Sequence, residues 1–197
     1  MIKAIIFDFG GVLAEEGFRE GLMTIGNENG LDSDSFFTIS SDLVYQTGYI
    51  TGRSNEHSYW NAVREKTGIS GDDKDLREEV LKRFRLRPEM IRYVKRIRSS
   101  GLTVAILSDQ TNWLDEINQR APFYHHFDHI FNSFYLRKTK RDASLFSDIC
   151  DMLGLKPDEV LFVDDNLDNI KRASSQGLRT ICFKDVDEFE KEFQKLS

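Results

Sequence analysis

The sequence predicts an α/β fold: a doubly wound, parallel, five-stranded Rossmann-like sheet with an α-helical cap inserted after the first strand. Three observations predict it. Five short runs rich in Ile, Val, Leu and Phe read as strands buried on both faces, as in parallel sheets. From Pro88 onward these runs alternate with helical stripes, and strands separated by helices imply right-handed βαβ crossovers. Between the first run and Pro88 lie some seventy residues without strand alternation, whose apolar residues keep helical spacing.

The first strand lies in Ile2-Lys3-Ala4-Ile5-Ile6-Phe7 and stops at Asp8, before Gly10-Gly11. In the following segment, Ser54 is placed to cap a helix carrying Tyr59, Trp60 and Val63, which Gly68 ends. Asp72 and Asp73 precede a second helix with Leu76, Val80, Leu81 and Phe84. Phe36, Phe37, Tyr45, Tyr49, Tyr59 and Trp60 are expected mainly to pack this helical bundle, with a pocket lining as the other use for them. Pro88 opens a helix through Ile91, Val94 and Ile97 that Gly101 closes. Leu102 to Leu107 is the second strand, ending at Ser108-Asp109-Gln110, and a helix around Trp113, Leu114 and Ile117 follows. His129 to Ser133 is the third strand, and Leu145, Phe146, Ile149, Cys150 and Leu153 form a stripe ending at Gly154. Val160 to Val163 is the fourth strand, running into Asp164-Asp165-Asn166, with Asn169, Ile170 and Ala173 on the next helix. Leu178 to Phe183 is the fifth strand, and Val186, Phe189 and Phe193 mark the last helix. The expected division is 1–15 and 87–197 for the α/β core and 16–86 for the cap.

Composition narrows the partners. A net charge of −6 and a pI near 5.3 lack the cationic face that nucleic acids or anionic membranes require. An anionic substrate would have to be met locally. No stretch approaches the length of a membrane span and no signal peptide is recognisable, so a cytoplasmic location is expected. Cys150 and Cys182 stand apart from each other and from histidine, which points to neither zinc nor a disulfide framework.

Asp8, Ser108, Lys140 and the pair Asp164-Asp165 each follow a different element. Singly, each has a plain reading: a turn opener, a helix cap, a surface lysine, a solvated turn. Open α/β sheets, however, bind ligands at the carboxyl ends of their strands. Three carboxylates gathered there repel one another unless a cation sits among them, and oxygen-only ligation suits Mg²⁺.

In this order the four segments resemble the motifs of the haloacid dehalogenase superfamily, and especially its small phosphatases with a helical cap after the first strand. The motifs are Phe7-Asp8-Phe9-Gly10-Gly11-Val12, Leu107-Ser108, Lys140, and Phe162-Val163-Asp164-Asp165-Asn166. The resemblance spans essentially the whole chain. It implies a Mg²⁺-dependent phosphomonoester hydrolase in which Asp8 is the nucleophile and forms an aspartyl phosphate. Asp8, the Gly10 carbonyl, Asp164 and Asp165 would then hold Mg²⁺. Ser108, Asp109 and Lys140 would bind the substrate, a small phosphorylated metabolite such as a sugar phosphate.

The sequence departs from that pattern at Gly10. Most phosphatases of the superfamily have a second Asp there as general acid and base, although some active members of this branch share the glycine. Without that group, good leaving groups such as sugar-1-phosphates or acyl or aryl phosphates are expected to be favoured, or an acid is borrowed from the cap; Glu15 and Glu16 are the donors to consider, although exposed carboxylates are the plainer reading of both. Arg141 stands where the residue after the motif lysine is commonly proline, and Lys138 is the alternative to Lys140. Asp109 replaces a frequent Asn, and suits a phosphate site only by pointing away or meeting a substrate hydroxyl. The competing expectations are a non-catalytic phosphometabolite sensor or partner-binding protein, and a metal-independent 2-haloacid dehalogenase, which would leave Asp164-Asp165 without a task. A signalling receiver domain would carry its acidic pair on the first strand and has no place for the insertion.

Overall fold

The computed structural model describes residues 1–196. Five parallel strands form one sheet: β1 (Ala4–Phe7), β2 (Thr103–Ser108), β3 (His129–Asn132), β4 (Val160–Asp164) and β5 (Arg179–Cys182), in the order β3-β2-β1-β4-β5. Between β1 and β2 come α1 (Gly17–Glu28), α2 (Ser33–Gln46), α3 (Glu56–Thr67), α4 (Asp73–Leu81) and α5 (Pro88–Ser99). β2 leads to α6 (Trp113–Arg120), and β3 to α7 (Ser133–Leu136) and α8 (Ser144–Leu153). α9 (Leu167–Ser175) joins β4 to β5, and α10 (Val186–Leu196) follows β5.

The apolar strand runs are buried on both faces because both faces are covered. Side chains alternate along a strand. Ile5 and Phe7 therefore join Val104, Ile106, Leu161 and Val163 on one face, under α5, α6 and α10. Ala4 and Ile6 join Ala105, Leu107 and Phe162 on the other, under Leu145, Phe146 and Ile149 of α8 and Ile170 and Ala173 of α9. Crossing from β3 to β4 carries the chain over β1, so the direction of sheet growth reverses beside β1.

The inserted helices do not keep a separate core. Trp60, Tyr59 and Val63 of α3, with Leu22 and Phe36, belong to the same apolar cluster as Ile5 and Phe7 of β1. Trp113, at the start of α6, is the plug: its ring stacks on Trp60 at 6.0 Å and meets Tyr49 edge-on at 5.8 Å.

Local expectations shift in three places. Asn55, not Ser54, caps α3, because its Oδ1 accepts the Ser58 N–H at 2.9 Å. α4 ends at Leu81, so Phe84 lies beyond it and stacks on Phe9 at 5.8 Å. Ser133 starts α7 instead of ending β3, because the Asn132 side chain accepts the Phe134 N–H and turns the chain into a helix. Among the described residues, no helix is long and apolar enough to cross a membrane.

Candidate active site

The register of the sheet brings the strand tips together. Phe7 lies opposite Val163 of β4 and Ile106 of β2. The Asp8 N–H donates to the Val163 carbonyl at 2.9 Å, so Asp8 stands level with Asp164. Carboxylate oxygens of Asp8, Asp164 and Asp165 all lie within 4.8 Å of one another. Ser108, at the tip of β2, is 2% exposed and lines the same cavity.

A buried lysine is wedged among the carboxylates. Lys140 Nζ lies 2.7 Å from Asp8 Oδ2 and 2.7 Å from Asp164 Oδ2. The other oxygens are also held: Asp8 Oδ1 accepts the Phe9 N–H at 2.7 Å, and Asp164 Oδ1 accepts the Asn166 N–H at 2.7 Å. Asn169 donates its amide to both Asp164 oxygens, at 3.2 and 3.3 Å. Asn166 caps α9, accepting the Asp168 N–H, so the acidic turn sits at a helix N-terminus, which favours negative charge.

Electrostatically the group is short of positive charge. Burial pushes the Asp8 carboxyl well up, and the Asp164 and Asp165 carboxylates add to this against the pull of Lys140. Asp165 is raised too, by burial and then by Asp164. Burial alone would lower Lys140, but Asp164 and Asp8 hold it well above its ordinary value, so it stays cationic. One ammonium against three carboxylates leaves two negative charges over, in a pocket of oxygen donors. That donor set fits a hard divalent cation.

Asp109 points away from the carboxylates. Both of its oxygens accept the Lys140 backbone N–H, at 2.9 and 3.1 Å, and Tyr45 of α2 donates to it at 3.4 Å. Arg141, where proline was the common residue, lies over the Tyr45 ring at 3.5 Å, tying the lysine loop to α2. Lys138 turns outward instead, to Asp148 at 2.5 Å.

At Gly10 the structure shows what occupies the space a side chain would take. A Cβ built there would lie 3.0 Å from Glu16 Oε2. Glu16 caps α1, its Oε1 accepting the Arg19 N–H at 3.4 Å, and burial followed by the nearby Asp165 pushes its carboxyl up to about 7. Glu15 instead pairs outward with Arg87 at 3.2 Å. The two carboxylates looked alike in sequence. Gly17 follows them at a close approach: a Cβ on it would sit 2.6 Å from the Phe84 backbone nitrogen, so only glycine lets α1 start against Phe84.

The cavity above these groups holds about 830 Å³. Phe37 and Tyr45 line it, whereas Phe36, Tyr49, Tyr59 and Trp60 are spent on packing. Arg19, Arg141 and Arg172 also line it, none of them singled out by sequence except Arg141. Arg172 had a signal, lying three residues after Asn169 on the helix that starts at the acidic turn. Arg19 had none, because its place depends on how α1 docks.

Comparison with known proteins identifies the family. A family model described as haloacid dehalogenase-like hydrolase matches residues 2–177. The chain is 26% identical over 196 residues to (S)-2-haloacid dehalogenase 4A of Burkholderia cepacia, covering 91% of this chain and 82% of that protein. It is 24% identical over 204 residues to glyceraldehyde 3-phosphate phosphatase of Methanopyrus kandleri, covering 92% and 83%. It also matches bifunctional epoxide hydrolase 2 of rat, at 28% identity over 115 residues and 55% of this chain, and spans about a fifth of the length of the rat, pig and mouse proteins of that name. In fold it is similar to a HAD family enzyme of Bacteroides thetaiotaomicron, with a TM-score of 0.79 at 21% identity over 98% of each chain. That enzyme has also been solved with magnesium and inorganic phosphate. With a family model running through β1, β2 and β4 and the residues at their tips, the chain belongs to the haloacid dehalogenase-like hydrolases.

Proposed function

We propose that this hydrolase is a Mg²⁺-dependent phosphatase of small phosphorylated metabolites, such as sugar phosphates, working through an aspartyl phosphate on Asp8. The observation that carries the reading is the cluster of Asp8 and Asp164, both buried, with Asp165 at its exposed edge and Lys140 between the first two. A dehalogenase attacking carbon needs no cation and would have no use for so much negative charge. The Bacteroides enzyme solved with magnesium and phosphate supports the same reading.

Asp8, Asp164, Asp165 and the Gly10 carbonyl would hold the metal, which when bound offsets the repulsion between carboxylate and phosphate and favours in-line attack. The chain's own groups do the rest. Asp8 offers a carboxylate oxygen to the phosphorus, and Lys140 neutralises charge shared between that oxygen and the phosphoryl group. Ser108 can donate its hydroxyl to a phosphoryl oxygen. Asp109 keeps Lys140 in place through the loop backbone. An 830 Å³ cavity lined by three arginines and four aromatic rings suits a polar metabolite.

Turnover of 4-nitrophenyl phosphate tests the reading. Mg²⁺-dependent release of nitrophenolate, abolished in Asp8→Asn and by chelation, is the expected result. Chloride release from a 2-haloacid in the presence of chelator would establish a dehalogenase instead. Binding of phosphorylated metabolites without turnover of any would establish a sensor.

A further inference from the structure

Phosphoryl transfer to a poor leaving group needs a proton donor beside the departing oxygen, and hydrolysis of the acyl phosphate then needs a base for water. Most titratable groups around the cavity are already engaged. Asp8, Asp164 and Asp165 form the acidic cluster. Lys140 bridges Asp8 and Asp164, and both Asp109 oxygens accept the Lys140 backbone N–H. Tyr45 donates to Asp109, and Asp168 is exposed beside Lys171 at 3.4 Å. The arginines do not give up a proton. Glu16 remains. Its Oε1 is held by the Arg19 N–H, while Oε2 lies over Gly10, two residues from Asp8, facing the cavity that Asp8 and Ser108 also line.

From this placement we infer that Glu16, reaching in from the N-cap of α1, is the catalytic acid and base of the hydrolase. This rests on the phosphatase reading above. In the first half-reaction an Asp8 oxygen bonds to phosphorus while the bond from phosphorus to the leaving oxygen breaks; the leaving oxygen keeps the electron pair and takes the proton from Glu16. In the second, Glu16 as carboxylate takes a proton from water, whose oxygen bonds to phosphorus. The Asp8–phosphate bond then breaks, releasing phosphate and restoring the Asp8 carboxylate and the Glu16 acid.

The geometry also supplies its own control. Gly10 has an ordinary backbone conformation, and a Cβ there meets only Glu16 closely, the Phe84 ring being at 3.7 Å. A carboxylate can therefore be moved from position 16 to position 10.

The experiment compares wild type, Glu16→Gln, Asp8→Asn and the double variant Gly10→Asp/Glu16→Ala on phenyl phosphate and 4-nitrophenyl phosphate, which share a ring and differ in leaving-group basicity. Glu16→Gln should lose about 10²–10⁴-fold on phenyl phosphate. On 4-nitrophenyl phosphate it should release one equivalent of nitrophenolate in a burst and then stall, with the protein mass raised by one phosphoryl group. The double variant should recover activity on phenyl phosphate and lose the burst. If wild type turns over, Asp8→Asn is dead, and Glu16→Gln keeps the wild-type ratio of the two substrates with no burst, the role of Glu16 is overturned and the phosphatase reading survives. Should Glu16→Gln fail to fold, the double variant decides alone: a phenyl phosphate rate restored toward wild type supports the role, and one without recovery refutes it. A wild type inert toward both substrates overturns both proposals.

Discussion

Lys140 is 2% exposed and answers to two carboxylates, so at the scale of single residues it carries the largest electrostatic stake. Removing one partner of a buried ionic group strands the other, at a cost of about 3–5 kcal/mol. Lys140→Met should therefore unfold at markedly lower urea than wild type when chelator is present. Mg²⁺ should raise its midpoint more than it raises that of wild type, since the orphaned carboxylates then have another cation. Asp109 acts on the same lysine through backbone. Asp109→Ala leaves the buried Lys140 N–H without its acceptor and should cost about 1–3 kcal/mol, whereas Asp109→Asn keeps an acceptor oxygen and should cost much less. Chemical denaturation of the two variants side by side checks this. If Asp109 served chiefly to contact substrate, both changes would alter KM and leave stability alone. Lys140 was legible as one candidate of two, with Lys138 beside it. Its choice depends on where the loop after α7 turns, and that turn is fixed by Asp109, thirty-one residues upstream.

Among the elements, α1 shows best what a helix must surrender to hold a site. It packs against α4 through a glycine: a Cβ on Gly21 would lie 2.5 Å from the Val80 Cα, a backbone atom that cannot yield cheaply. Alanine in place of glycine favours an isolated helix by about 1 kcal/mol, yet overpacking costs about 1–3 kcal/mol, so the clash wins when the contact is this close. Gly21→Ala is expected to lower the thermal midpoint despite its better helix propensity. Gly17→Ala should do the same and, by pushing the first turn away from Phe84, should reproduce part of the Glu16→Gln phenotype on phenyl phosphate. Both are read by calorimetry and by the same pair of substrates. Neither α1 nor α2 stood out in sequence as a defined helix: the α1 glycines, spaced for contact with a neighbour, look like weak helix formers until that neighbour is known, and α2 carries four serines and a threonine, which are weak helix formers too.

For the molecule as a whole, cap and sheet share one apolar cluster through Trp113 and Trp60. Calorimetry should accordingly show a single unfolding transition, with equal calorimetric and van't Hoff enthalpies. Two resolved transitions would mean that the inserted helices fold by themselves. Charged ties reinforce the join at its rim. Arg120 of α6 grips Glu78 of α4 through both carboxylate oxygens, at 2.6 and 2.8 Å, and Arg77 links Glu56 of α3 at 2.9 Å to Glu116 of α6 at 3.4 Å. The Arg120 hydrogen bonds hold the Glu78 carboxyl below its ordinary 4.5. A carboxyl with a lowered folded value stabilises the protein above its unfolded value and loses that contribution as pH falls. Wild type should thus melt above Glu78→Gln at neutral pH, with the gap closing on acidification below about pH 4.5. Equal melting at every pH would show that the tie is fully screened by solvent.

Local chemistry in the sequence was enough to determine the fold class, the strand runs and the polar residues that end them. Strands buried on both faces must be continuously apolar, so the switch to Asp8, Ser108 or Asp164 is visible without coordinates. Tertiary structure alone decided which of two adjacent glutamates turns inward, that Asp109 serves the lysine loop, and that cap and sheet form one core. Each of these depends on two backbones meeting at a distance only a glycine or a particular loop permits, and such an approach has no period or motif along the chain.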